Sequence, residues 1–287
     1  MSRCGHRQGA EEQRRENGEQ ARKQNFSCGL AHLSQTELSY GRLADCLEAG
    51  LTGGYRARKS RHIATRQFLG NGEIIVIDTL PPLQRLALAY APAATRDALL
   101  VLLSLDARLA GIVRSSREPM LVQMRLAWWR EQVGCDVPAP GGSDPLLAAL
   151  RTWPGSPTVL AGLADGWEAM IGAAPLPISA YDMLASARAA AFAALAETEG
   201  QREAAQRMGR NWALADIAEH LSDPRERAAA LELARAQDWR PAKLPRALRP
   251  LAVLHGLAAR TIQRGNPSEQ LTALALLAAM RIGLLGR

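Results

Sequence analysis

Apolar residues beyond residue 96 recur at intervals of three and four, as in Leu99, Leu102, Leu103, Leu109 and Val113. That spacing lines one face of an α-helix. No segment alternates with period two over a useful length and β-branched residues are sparse, so strands are not expected. Helix starts are marked as well. Asp144-Pro145, Ser156-Pro157 and Asp223-Pro224 each set a capping side chain before a proline at the first helical position, where the missing N–H costs nothing. Ser179-Ala-Tyr-Asp182 has the form of a capping box with Asp in place of Glu. The pattern predicts helices near 96–114, 118–134, 144–152, 157–171, 179–199, 201–221, 224–237, 245–264 and 268–285. Asp136-Val-Pro-Ala-Pro-Gly-Gly-Ser143 reads as the clearest loop. Short Gly/Pro connections without a repeat of fixed period predict an all-α bundle.

Composition changes that picture at one end only. The 287 residues, 47% of them apolar, suffice for a sizeable core. Before residue 75, however, the chain is polar, lacks sustained periodicity and carries Cys4, Cys28 and Cys46; after it, Ala and Leu dominate. The expected organisation is therefore a helical domain over 76–287 preceded by an extension over 1–75. Two readings of the extension stand: a disordered segment, or a stretch lying ahead of the native start. Gly72-Glu73 must be encoded GGN-GAR, a possible ribosome-binding purine run, and two codons separate it from Val76, which places a plausible start at Val76.

Charge narrows the function classes. Of the +7 formal charge, residues 1–75 hold 12 Lys/Arg against 8 Asp/Glu, and the rest holds 23 against 20. A surplus of three is an ordinary solubility charge, so no nucleic-acid partner is expected. The fourth cysteine, Cys135, stands alone and no CxxC pair occurs, which disfavours a disulfide scaffold or a zinc site. The most apolar stretch, Ala98 to Leu105, is interrupted by Ser104 and ended by Asp106 and Arg108, too short to span a bilayer. The chain reads as soluble and cytoplasmic.

One helix carries two adjacent tryptophans, in Met124-Arg-Leu-Ala-Trp-Trp-Arg130. Leu121, Met124 and Trp128 share a face, while Arg125 and Trp129 are neighbours at i, i+4. The packing reading puts one Trp in the core and the other over a seam, with Arg125 stacked as a cation–π pair. The alternative is docking on a membrane surface, where Trp beside Arg suits a headgroup boundary.

The run Ala98-Leu-Leu-Val-Leu-Leu-Ser-Leu-Asp-Ala-Arg-Leu-Ala-Gly-Ile-Val113, then Arg117-Glu-Pro119 and Met124 to Arg130, resembles the squalene/phytoene synthase family. It is most similar to the divergent bacterial branch and to the related respiratory complex I assembly factors. The likeness extends through Gly209-Arg-Asn-Trp-Ala-Leu-Ala-Asp-Ile-Ala218 and Lys243-Leu-Pro245, and so over most of residues 80–287. It implies the all-α isoprenoid synthase-type helical bundle.

The resemblance also implies two Asp-rich motifs facing one another across a cavity. Their carboxylates hold Mg²⁺, a hard cation that neutralises a diphosphate leaving group. The first motif, of the type Asp-Asp-x-x-Asp, falls on Ala110-Gly-Ile-Val-Arg114, where apolar residues and an arginine replace the acids. The second falls on Asp216-Ile-Ala-Glu-His-Leu-Ser-Asp-Pro224, where His220 and Pro224 stand at two expected Asp positions. No metal or other cofactor is therefore expected, and no catalytic residue.

Some acids remain. Asp106 lies one turn before Ala110 on the same face, and Asp216, His220 and Asp223 share a face of their own. If the two faces meet they form a displaced metal site or a polar pocket for another ligand; otherwise they are caps and solvated residues, Asp223 being already accounted for as a cap. His255, inside Leu254-His-Gly-Leu257, reads as a core or seam histidine. The preferred expectation is a non-catalytic protein that binds a prenyl chain or lipid and acts with a protein partner, with peripheral contact at the inner membrane. The alternative is a prenyltransferase condensing two prenyl diphosphates, with Asp106, Asp216 and Asp223 as displaced Mg²⁺ ligands and His220 beside them as a further candidate catalytic residue.

Overall fold

Proline opens half of the helices. The computed structural model describes residues 66–68, 74–76, 80–115, 118–134, 144–264 and 272–286, all within one compact unit, Ile63–Arg287. Helices α1 (Pro82–Leu88), α3 (Pro119–Gly134), α4 (Pro145–Leu150), α5 (Pro157–Glu168) and α8 (Pro224–Arg235) begin at a proline, whose fixed φ suits the first turn. Between and after them come α2 (Ala93–Ser115), α6 (Ile178–Ala193), α7 (Glu199–His220), α9 (Arg249–Arg264) and α10 (Ala273–Leu285). A 3₁₀ turn, Arg246–Leu248, leads into α9.

Nine of these elements were expected, with differences that have local causes. Asp144 accepts from the Leu146 N–H, and Asp223 from those of Arg225 and Glu226, as caps do. Ser156 precedes Pro157 but makes no capping bond; its hydroxyl pairs with that of Thr158 instead. The capping box expected at Ser179–Asp182 does not form. Pro177 occupies the cap position, and Asp182 is drawn to Arg210 of α7. Helix α6 ends at Ala193, six residues short of the expected end, because Thr198 caps α7 and its hydroxyl accepts from the Gln201 N–H. Helix α1 is too short for its apolar spacing to register.

Apart from helix, the described residues hold one antiparallel ladder of two three-residue strands, β1 (Arg66–Phe68) and β2 (Ile74–Val76), with Gln67 opposite Ile75. It was not expected, since three residues cannot establish a period of two. Gly70-Asn71-Gly72, a composition that hairpins favour, lies between the strands in sequence. The rest of the extension over 1–75 and the loop over 136–143 lie outside the described residues.

Helices α6 and α7 pack along each other more extensively than any other pair among the described residues. Gly209 makes this possible: a Cβ there would come within 3.1 Å of the Ala189 Cα. The edge-on pair of Phe192 and Trp212, 5.5 Å apart at 87°, fills the seam. Helix α5 packs on α6, α8 and α9 pack on α7, and α2 and α3 pack in turn on α5; Leu99, Leu103, Leu109, Leu126, Leu163 and Leu184 are fully buried in the shared core.

The paired tryptophans divide as the packing reading expects. Trp129 is 5% exposed and Trp128 44%, and they meet edge to face at 5.4 Å. The stacked cation is a correction, however. Arg108 of α2 sits over Trp129 at 5.7 Å, and Arg125 is exposed. Arg108 reaches the ring from a neighbouring helix, a contact that spacing along α3 does not encode.

Candidate functional site

The two acid-bearing faces converge, and an arginine lies between them. Asp106 on α2 and Asp216 on α7 both point toward Arg188 on α6. The guanidinium donates from Nε to Asp106 Oδ1 at 3.0 Å and from Nη2 to Asp106 Oδ2 at 2.8 Å, a bidentate fork. Its Nη1 donates to Asp216 Oδ2 at 2.7 Å. Trp167 Nε1 on α5 adds a fourth bond, to Asp106 Oδ1 at 2.8 Å. The guanidinium also lies over the Trp167 ring at 5.0 Å and the Trp212 ring at 5.4 Å, so that indoles pack the cation where carboxylates do not.

Burial makes this network costly unless complete. Arg188 is 5% and Asp106 4% exposed, and an unpaired charge at that depth would not persist. Burial by itself would lower the arginine's pKa; the charges of Asp106 and then Asp216, with their hydrogen bonds, outweigh it and hold the guanidinium above its ordinary range.

A cavity of about 450 Å³ opens beside the network. One wall is apolar, with Ala107, Ala110 and Val113 of α2, Leu184 of α6 and Ile217 of α7. The other polar groups are Gln84, Arg114, His220, Ser222, Asp223 and Glu226. Ala110 and Arg114, the positions where the resemblance implies the first carboxylates, thus face the cavity without supplying any. His220 turns its Nδ1 back to the Asp216 carbonyl oxygen at 2.8 Å and lies 3.7 Å from Asp216 Oδ1. Asp223 spends one oxygen capping α8, and Glu226 accepts from the Leu176 N–H at 2.6 Å. Tyr181, fully buried nearby, is pushed up to about 12 by burial, by Glu226 and, least, by Asp223.

Asp106, Asp216, His220 and Asp223 therefore line one cavity, while Arg125, Trp128 and Trp129 do not. The donor set does not fit Mg²⁺. Both Asp106 oxygens and one of Asp216 are engaged by Arg188, and among the described residues no three His, Cys, Asp or Glu side chains are grouped to hold a metal ion. Sequence reasoning missed Arg188, Trp167, Gln84 and Glu226. A signal for the first existed: Tyr181, Leu184, Arg188 and Phe192 follow helical spacing, which puts a charge on an apolar stripe and demands a buried partner.

No family model matches the chain, and neither the curated proteins nor the solved structures contain a match.

Proposed function

We propose that this chain is a non-catalytic protein on an isoprenoid synthase-type bundle, whose cavity takes a prenyl or other lipid chain and which serves assembly or regulation through a protein partner at the membrane. The observation that carries this reading is the Arg188 guanidinium between Asp106 and Asp216. A prenyl-diphosphate enzyme needs paired carboxylates free to hold Mg²⁺ against the leaving group. Here an internal cation already takes up those oxygens. The cavity's volume lies in the range of ligand pockets and its α2 wall is apolar, which suits a hydrocarbon chain.

The enzymatic alternative, a prenyltransferase with Asp106, Asp216 and Asp223 as metal ligands, requires Arg188 to release both carboxylates inside the protein. Breaking such a buried pair costs about 3–5 kcal/mol. The test is diphosphate release by the full chain given farnesyl or geranylgeranyl diphosphate with Mg²⁺ or Mn²⁺, beside an Asp106→Asn control. No release from folded, helical protein is the expected result. Release that disappears in the control would overturn the reading.

Membrane contact belongs to the same proposal. Helix α10 has no acidic residue and exposes Leu274, Leu277, Met280, Leu284 and Leu285 beside Arg281. An apolar helix face with a cation on it complements an anionic bilayer surface. Helix α3 offers a second such face in Met120, Leu121, Met124 and Trp128, with Arg125 among them. Among the described residues no helix is long and apolar enough to cross a membrane; the contact proposed is peripheral, at the inner membrane, for a protein proposed to be cytoplasmic.

A further inference from the structure

The cavity's charges bear on which head group a lipid-like ligand carries. Four carboxylates line it (Asp106, Asp216, Asp223, Glu226) against two guanidiniums, Arg114 and Arg188. The places where an anion would ordinarily bind are already filled from within. Arg188 directs Nε, Nη1 and Nη2 at Asp106 and Asp216. The N-terminus of α8, whose N–H groups would otherwise attract a phosphate, is capped by Asp223 through the Arg225 and Glu226 N–H groups. Arg114 is exposed to solvent, where water and salt screen it. What remains unspent is acceptor capacity and negative charge, since an ionised carboxylate offers about four lone-pair sites, of which Asp223 uses two and Glu226 those facing the Leu176 N–H and Tyr181.

From this geometry we infer that the cavity selects a single-chain amphiphile with a hydrogen-bond-donating, cationic head, an alkylammonium, and rejects an anionic head such as a phosphate. The apolar wall of Ala107, Ala110 and Val113 takes the chain, and Asp223 and Glu226 take the head. The inference rests on the proposed lipid-binding role and specifies its ligand class.

Dodecylamine, 1-dodecanol and dodecyl phosphate, each below its micellar concentration, test it by titration calorimetry on the full chain at neutral pH. The amine is expected to bind roughly tenfold or more tighter than the phosphate, the scale of one charge-assisted hydrogen bond, with the alcohol between them. Asp223→Asn keeps a capping oxygen and is expected to shrink the amine's advantage over the alcohol, which lost folding would not do selectively. Ala107→Phe, filling the cavity from a half-buried position, is expected to weaken all three and so separates the cavity from the surface of α10. Phosphate binding as tight as the amine's, with or without Mg²⁺, would overturn the head-group inference and leave a lipid-binding cavity standing. Binding of none of the three would overturn both.

Discussion

Arg188 grips Asp106 with two parallel hydrogen bonds, of 3.0 and 2.8 Å, although 82 residues separate them in the chain. Removing the guanidinium strands two carboxylates, one of them fully inside the protein. Arg188→Met is expected to destabilise the fold by about 3–5 kcal/mol in urea unfolding. Adding Asp106→Asn and Asp216→Asn to it should restore part of the loss, because it is the unpaired charge, and not the missing bonds, that dominates. A triple variant no more stable than Arg188→Met alone would contradict this.

Glycines in the bundle divide by what surrounds them. At Gly209 a methyl group would press on the Ala189 backbone at 3.1 Å, which α6 cannot yield without moving Arg188. Gly209→Ala is expected to cost about 1–3 kcal/mol as overpacking. Gly162 in α5 and Gly111 in α2 have nothing within 4 Å of such a methyl. Alanine at either should stabilise the protein by about 0.5–1 kcal/mol through helix propensity. Thermal melts of the three variants give the comparison directly.

His255 predicts an acid-sensitive component of stability. It is 1% exposed, stacked on Trp239 at 5.2 Å and 27°, and its Nε2 has no partner. Burial first, then Arg207, against a smaller opposing pull from Asp238, holds the imidazole down at about 4, below its ordinary 6.5. Between those values the unfolded chain binds a proton that the folded chain does not. Stability is therefore full above pH 6.5 and falls as pH drops toward 4, by about 3 kcal/mol over the window. His255→Phe keeps a ring against Trp239 and should flatten that part of the profile, as measured by urea midpoints across the range.

Vesicle flotation addresses the exposed faces. With anionic vesicles, Leu277→Glu combined with Leu284→Glu in α10 is expected to abolish flotation at low salt, while the helical content stays unchanged. Met124→Glu with Trp128→Glu does the same for α3. Wild-type protein that stays at the bottom of the gradient would remove the bilayer from the proposal.

Much of the helix architecture was legible because its signals are local. Asp144-Pro145 and Asp223-Pro224 each mark a start that the coordinates reproduce with the capping bond in place. Ser179 misled because a capping box is only one use of its residues, and Asp182 found Arg210 across the α6–α7 seam. The candidate acids were legible as faces: Asp216 and His220 are a turn apart, and Asp106 is a turn from Ala110. What joins them was not legible, since Arg188 is 28 residues from Asp216 and 82 from Asp106. Pairings at such separations depend on how helices cross, which no local spacing encodes. Arg108 over Trp129 was missed for the same reason, a contact between helices in place of one along a helix.

The cation between Asp106 and Asp216 is part of the polypeptide. It cannot dissociate, be chelated, or be exchanged for a competing ion, and its stoichiometry is fixed at translation. The paired carboxylates are therefore bridged as soon as the chain folds, by a charge that never has to be loaded from solution.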